Sequence, residues 1–258
     1  MEQRTLGRTG LKAGPIGMAG SYGVPAAAVE RAFERGVNYL YWGSLRRGPF
    51  GQALRNLKPQ RDRLVLVLQS YSRVAALMRP SVEIALRKLN FEYADVLLLG
   101  LWNKKPPPRI MDASRRLRER GLIRHIAIST HHRPLVSELA DDPNFGIVHV
   151  RYNAVHTGAE REVFPQLASN GHQVGLVAFT ATSWKQLLDP KRIPPGERVP
   201  TASDCYRFVL SNPAINVCMT GPANEVQAAE ALRAIELGPM NEEELAWMRR
   251  VGDYIYKH

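Results

Sequence analysis

Apolar residues fall into eight short runs along the chain, and amphipathic stretches separate them. The runs are PIGMAG (15–20), VNYLYW (37–42), LVLVLQ (64–69), DVLLLG (95–100), HIAIS (125–129), IVHVRY (147–152), VGLVAF (174–179) and INVCMT (215–220). Continuous apolar runs of this length are typical of parallel strands that helices cover. The segments between them have helical spacing, and several end in Gly or Asn, as helices commonly do. The alternation predicts an α/β protein whose eight strands close into a (β/α)8 TIM barrel.

Two proline-rich stretches interrupt this alternation. They are NKKPPPR (103–109) and DPKRIPPGERVP (189–200), which follow the fourth and seventh predicted strands. Proline lacks a backbone donor and fixes φ, so we predict loops rather than helix or central strand. Both loops would stand at the C-terminal mouth of the barrel, as spacers or as walls of a ligand site. The last amphipathic segment, with Asn241 as its cap, predicts a C-terminal helix.

Length and composition indicate one compact domain over residues 1–258. The chain has 45% hydrophobic and 23% charged residues, enough for a full barrel core. No signal-peptide pattern or membrane-length apolar stretch occurs, so we expect a cytoplasmic protein without a membrane partner. Cys205 and Cys218 lack the spacing of a metal or redox motif, and we predict buried thiols and no metal site.

The chain carries a formal net charge of +11, and the basic residues are spread along it. The densest run, RRLRERGLIR (115–124), places its arginines on the outer face of a predicted helix. No aromatic residues are interleaved with these charges, so we predict a solvated helix face and no nucleic-acid partner. An anionic cofactor or substrate would also suit the charge.

Seven stretches of the chain resemble, in order, those of the aldo-keto reductases. They are LGRTGLKAGPIGM (6–18), GVNYLYWG (36–43), RDRLVLVLQS (61–70), RKLNFEYADVLLLG (87–100), GLIRHIAIS (121–129), VGLVAFT (174–180) and VCMTGPANEVQAAEAL (217–232). The resemblance covers roughly residues 5 to 245, and its strength lies in order and spacing rather than in any single motif. It implies an N-terminal β-hairpin before the barrel and an NAD(P)H-dependent oxidoreductase that acts on a carbonyl compound.

The resemblance also locates the family's catalytic tetrad, and all four positions differ here. The aspartate position is Tyr41, the lysine position is Gln69, the histidine position is Gly100, and the tyrosine position is near Arg46. Replacing both halves of a buried ion pair avoids the roughly 3–5 kcal/mol cost of leaving one charge alone, so Tyr41 and Gln69 would form a neutral pair. Without a lysine, the pKa of a phenol such as Tyr41 should stay near ~10. The usual reduction mechanism therefore cannot operate unchanged.

The positions that bind the nicotinamide dinucleotide in the family are only partly altered. Those implied to bind it here are Ser129, Thr130, His149, Phe179, Thr180, Thr182, Gly221 and Asn224. Phe179 keeps a ring face on which a nicotinamide could stack. Pro222 and Ala231 depart from the family pattern. Binding of NADP(H) or NAD(H), and loss of both, remain open from the sequence.

Polar side chains at the strand ends are candidates for chemistry whatever the ancestry. His149 could be a general acid or base, or a hydrogen-bonded lining residue, and Arg151 could anchor an anion. Trp42, Tyr71 and Trp102 could form an aromatic wall, or could simply pack loops onto the barrel. We expect a small-molecule ligand at the mouth. The alternatives to a reductase are a proton-transfer enzyme that uses His149 or Tyr41, and a non-catalytic binding or regulatory protein.

Overall fold

The computed structural model describes residues 2–43, 47–169, 171 and 173–258. Eight parallel strands follow one another around a closed barrel in chain order, and the last strand pairs with the first. The strands are β3 (Ile16–Ala19), β4 (Tyr39–Trp42), β5 (Val65–Ser70), β6 (Ala94–Leu99), β7 (Ile123–Thr130), β8 (Phe145–Arg151), β9 (Gly175–Phe179) and β10 (Val217–Thr220). Each coincides with one predicted apolar run to within two or three residues. The predicted barrel is confirmed.

Helices surround the barrel on its outer side. They are α1 (Ala26–Glu34), α2 (Gly48–Asn56), α3 (Ala75–Leu89), α4 (Pro108–Glu119), α5 (Leu135–Asp141), α6 (Ala159–Glu162), α7 (Phe164–Ser169), α8 (Ala202–Leu210), α9 (Glu225–Leu237) and α10 (Glu242–Lys257). The predicted C-terminal helix α10 begins with a capping box, in which Asn241 and Glu244 exchange side-chain to backbone hydrogen bonds. Cys205 and Cys218 are buried free thiols. Among the described residues, no helix is both long and apolar enough to cross a membrane.

The two proline-rich stretches are loops with two corrections. Helix α4 already begins at Pro108, and a short 3-10 turn spans Pro190–Arg192. The prediction that neither stretch contains helix was wrong at these points. The first residues of a helix have no internal partner for their N–H groups, so proline is tolerated there.

A short hairpin closes the N-terminal end of the barrel, as the resemblance implied. It consists of β1 (Arg4–Thr5) paired with β2 (Lys12–Ala13). Leu6 is fully buried beneath the barrel interior. Gly7 has a φ of +49°, and a Cβ there would lie 2.3 Å from the backbone nitrogen of Gly175. The hairpin therefore packs backbone against backbone, and it seals the floor of the barrel.

Side chains that alternate along the strands fill the barrel interior in layers. The buried apolar ones are Leu6, Ala13, Tyr39, Val65, Val67, Val96, Leu98, Ala127, Ile147, Val177 and Val217. By the same alternation, the next residues toward the mouth include Tyr41, Gln69, Ser129, His149 and Phe179, and Arg151 follows His149. The apolar layers form a plug, so a ligand can reach the interior face only from the mouth.

A buried carboxylate joins two strands on the outside of the barrel. Asp95 on β6 is 1% exposed and accepts a hydrogen bond from the backbone N–H of Leu66 at 2.8 Å. Arg61 and Arg124 form salt bridges with it at 2.8 and 3.5 Å. The two guanidinium groups each lie 4.1 Å from the ring centre of Tyr93. This cluster fixes β5 against β6, and the two guanidinium groups share the one buried carboxylate.

Candidate active site at the mouth of the barrel

Tyr41 lies at the mouth end of β4 and is partly buried. Burial raises the pKa of its phenol above the ordinary value, and the neighbouring phenol of Tyr71 raises it further. The expected pKa near ~10 was therefore too low, because the burial of Tyr41 could not be read from the sequence. Tyr71, by contrast, is 58% exposed. The two phenols form a pair at the rim, one inside and one facing solvent.

The space above Gly100 is occupied by neighbouring side chains. A Cβ at this position would lie 2.5 Å from the ring of Tyr71 and 2.6 Å from Nε2 of Gln69. The Oε1 atom of Gln69 is buried and has no hydrogen-bond partner in the described part of the chain. Tyr41 interacts with Tyr71, and no hydrogen bond joins Tyr41 to this oxygen in the described part of the chain. Arg46 lies outside the described residues.

His149 is enclosed in the barrel below the mouth. Its Nε2 atom is 2.8 Å from the hydroxyl of Tyr39, and its side chain is buried. Burial lowers the pKa of His149 to about 3, so the imidazole is neutral at pH 7 and shares a neutral hydrogen bond with the phenol of Tyr39. This geometry supports the interpretation of His149 as a hydrogen-bonded lining residue.

The buried state of His149 predicts a pH-dependent stability. In the unfolded chain this imidazole takes up a proton as the pH falls below about 6.5, whereas in the folded protein it stays neutral down to about 3. The free energy of unfolding should therefore fall with decreasing pH across this window, by up to about 1.4 kcal/mol per pH unit from this one group. The variant H149Q keeps an acceptor for Tyr39 and should show a shallower slope. Urea unfolding between pH 4 and 6.5 measures it, and equal slopes for both proteins would contradict the assignment.

Ser129 and Thr130 end strand β7 and point in different directions, as neighbours on a strand do. The hydroxyl oxygen of Ser129 accepts a hydrogen bond from the backbone N–H of Leu101 at 2.8 Å. Thr130 is tied into the following loop, because its hydroxyl accepts from the backbone N–H of His132 at 2.9 Å. No described residue accepts a hydrogen bond from the Ser129 hydroxyl, whereas the Thr130 hydroxyl is engaged in the following loop.

Phe179 stands at the end of β9, and a strained turn follows it. Thr180 has a φ of +60°, and its carbonyl oxygen accepts from Nδ2 of Asn153 at 2.7 Å. Ser183, Trp184 and Lys185 are also left-handed, with φ of +49°, +52° and +73°. The hydroxyl of Thr182 accepts from the backbone N–H of Lys185 at 3.3 Å. Non-glycine residues persist in this conformation where the surroundings impose it, often at ligand sites.

The predicted phosphate positions Gly221 and Asn224 are both engaged. A Cβ on Gly221 would lie 2.3 Å from the ring of Tyr22, which therefore covers this glycine. The side-chain oxygen of Asn224 caps helix α9 through the backbone N–H of Gln227 at 2.9 Å. Gly221 would become accessible to a phosphate only if the exposed Tyr22 side chain rotated away.

The tryptophans of the predicted aromatic wall face inward. Trp42 and Trp102 are buried, and the guanidinium groups of Arg47 and Arg73 lie 4.0 and 3.7 Å from their ring centres. The two tryptophans therefore pack loops onto the barrel, and of the three aromatic residues only Tyr71 is exposed to solvent. One surface crevice lies elsewhere, between α1 and α9, and Phe179 does not line it.

The sequence interpretation missed three residues that the fold brings to the mouth: Tyr22, His156 and Trp184. His131 and Asn153 also lie there, among the polar residues that follow the strand ends. Asn153 is fully buried; its side-chain oxygen accepts from the backbone N–H of His156 at 2.8 Å, and its amide holds Thr180. An Asn just after a predicted strand is a weak signal for the turn that Asn153 stabilises. No local sequence pattern indicates the ring contacts of Tyr22, His156 and Trp184.

These features define a (β/α)8 barrel protein with a sealed floor and a candidate ligand site at the C-terminal mouth. The model of the Aldo/keto reductase family matches residues 25–195, and the chain belongs to this family. Among solved structures, the chain is similar to aldo-keto reductase AKR11C1 from Bacillus halodurans in its holo form, with a TM-score of 0.78, 21% identity, and coverage of 97% of this chain and 96% of that one. It is also similar to an aldo/keto reductase from Klebsiella pneumoniae in complex with NADP and acetate, with a TM-score of 0.79, 20% identity, and coverage of 98% and 96%.

Proposed function

We propose that this protein is an NAD(P)H-dependent oxidoreductase that acts on a carbonyl compound, with a proton donor other than the family's lysine-assisted tyrosine. Membership of the aldo-keto reductase family and the NADP named for the Klebsiella pneumoniae structure support a nicotinamide cofactor. The proposal rests on the presence of two side chains at the mouth: Phe179 has an aromatic ring on which a nicotinamide could stack, and Ser129 has a hydroxyl group that could donate a hydrogen bond. A cytoplasmic location stays a prediction from the sequence.

Three residues at the mouth would have separate roles in cofactor binding and proton transfer. Phe179 would support the nicotinamide ring by stacking, and Ser129 would donate to the carboxamide. The cofactor, when bound, supplies the hydride. The exposed phenol of Tyr71, whose ring lies over Gly100, is the donor we assign for the proton. No lysine assists it, so proton transfer near neutral pH should be slow compared with a lysine-assisted phenol.

The first test is a titration with NADPH and with NADH, followed by nicotinamide fluorescence and by the melting temperature. F179A should weaken binding by roughly tenfold or more, because stacking of a planar ring on an aromatic side chain contributes about 1–3 kcal/mol. F179Y keeps the ring and is the matched control, and S129A should weaken binding less. Failure of both cofactors to bind at millimolar concentration would overturn the proposal.

A non-catalytic ligand-binding role is favoured by one observation, the cover that Tyr22 forms over Gly221. If this cover excludes the dinucleotide, Y22A should bind NADPH where the parent chain does not. Proton-transfer chemistry at His149 gains no support, because the imidazole is enclosed and engaged with Tyr39.

A further inference from the structure

Arg151 is a partly buried cation at the mouth that has no acidic partner. It ends strand β8 directly beside Phe179 of β9 in the parallel register. In the described ranges, no carboxylate lies within salt-bridge distance of it, and it makes no hydrogen bond. The nearby Arg133 is already paired with Glu162, through two hydrogen bonds of 2.7 and 3.0 Å. Arg151 is thus left with uncompensated charge.

Two histidine side chains lie close enough to Arg151 to be affected by its charge. His131 and His156 both experience the charge of Arg151, and burial together with that charge lowers the pKa of each, to about 4 for His156. The Nδ1 atom of His131 is buried without a hydrogen-bond partner in the part of the chain that the structure describes. Nδ1 of His156 is 3.2 Å from the side-chain oxygen of Asn153. An unpaired buried nitrogen beside an unpaired guanidinium marks a place where a polar group is missing.

Aromatic rings enclose the same place. The ring of His131 meets Phe179 edge-on with centroids 5.3 Å apart, and Trp184 lies 6.5 Å from His131. His156 meets Trp184 and Tyr256 edge-on at 6.3 and 6.2 Å. Trp184 is exposed and is held in the left-handed turn after β9. The walls are therefore planar and apolar, while the base is cationic.

We propose that Arg151 and His131 bind the carboxylate or phosphate group of an anionic ligand whose planar part packs on Trp184. An anion here would compensate the charge of Arg151 and give Nδ1 of His131 a partner, which no described side chain does. The net charge of +11 favours approach of such a ligand. The inference goes beyond the proposed oxidoreductase function; a carbonyl substrate that carries a carboxylate is the case in which both hold.

The unpaired charge of Arg151 does not stabilise the ligand-free protein. Unpaired Arg151 repels Arg133 in the free protein, and burial disfavours its charged form. Removing the charge should therefore leave the melting temperature of the ligand-free protein unchanged or higher. A structural role for Arg151 would have the opposite effect on melting.

The experiment titrates the purified protein with benzoate, with inorganic phosphate and with NADPH at constant ionic strength. Binding is followed by NMR of the histidine imidazoles and by the melting temperature. R151Q should lose benzoate affinity by roughly tenfold to a hundredfold, as expected for removal of a charged hydrogen bond. R116Q removes an equal charge from the exposed outer face of α4 and should bind like the parent. H131F keeps a ring at position 131 without Nδ1 and should weaken benzoate several-fold, which provides the measurement should R151Q fail to fold.

The outcomes separate the sources of the anion and the two proposals. Benzoate binding that R151Q loses, with or without NADPH, supports a substrate carboxylate. If R151Q loses NADPH and phosphate binding but keeps benzoate binding, the site is assigned to the phosphates of the dinucleotide. Equal anion binding by the parent, R151Q and R116Q would overturn the inference even if NADPH binds. Benzoate binding without NADPH binding would support the anion site and overturn the oxidoreductase proposal.

Discussion

Replacement of Gly252 by alanine should lower the free energy of unfolding by about 2–3 kcal/mol, although alanine favours helices. Gly252 lies within α10, where an added Cβ would be 2.0 Å from the carbonyl oxygen of Ala154 and 2.4 Å from its carbonyl carbon. Both are backbone atoms of the segment that follows β8, so no side chain can rotate to make room. Helix α10 would have to move away from the barrel.

Urea unfolding of G252A and of G48A checks this prediction. Gly48 begins α2, and an added Cβ there would meet no atom within 4 Å, so G48A should be neutral or slightly stabilising. The segment after β8 also carries Asn153 and His156, and G252A should therefore weaken benzoate binding as well. A G252A protein as stable as G48A would mean that α10 does not pack this closely.

Replacement of Asp95 by alanine should cost about 3–5 kcal/mol, which makes it the most damaging single change considered. The carboxylate is almost fully buried, and its removal leaves the guanidinium of Arg61 without its partner and the backbone N–H of Leu66 without an acceptor. The stacking on Tyr93 and the hydrogen bonds of Arg61 to the backbone carbonyls of Leu64 and Tyr93 would remain, but none of these neutralises the charge of the guanidinium. The expected result is a lower midpoint in urea and a lower melting temperature.

An exposed ion pair on the same side of the barrel provides the matched control. Glu92 pairs with Lys58 at 2.9 Å, but the glutamate side chain is well exposed. E92Q should change the free energy of unfolding by less than about 1 kcal/mol. If D95A and E92Q were equally stable, burial of the Asp95 cluster would not contribute as described.

The barrel could be predicted because its signal is local and repeated. The runs at 64–69 and 95–100 became β5 and β6 with shifts of one residue, since apolar strands and amphipathic helices each bury a face that the sequence itself displays. The hairpin over the floor was available only through resemblance. Its strands are two residues long, and too short to carry a periodicity.

The candidate site was predictable in outline but not in its contacts. Strand ends placed Phe179 and Ser129 at the mouth correctly, because side chains alternate along a strand. The ring of Tyr22 over Gly221 joins residues about 200 positions apart, and no local pattern encodes such a contact. The left-handed turn at Ser183–Lys185 was also hidden, since its residues are not glycines.

The packing of Tyr71 over Gly100 constrains the evolutionary history of this mouth. A histidine introduced at position 100 would place its Cβ 2.5 Å from the Tyr71 ring, so it could be accommodated only after Tyr71 had become smaller or had rotated away. The two positions are therefore epistatic. A lineage that gains a histidine at this strand end must also accommodate the Tyr71 ring, either by rotation of that side chain or by a mutation at residue 71, so sterics couples the two positions.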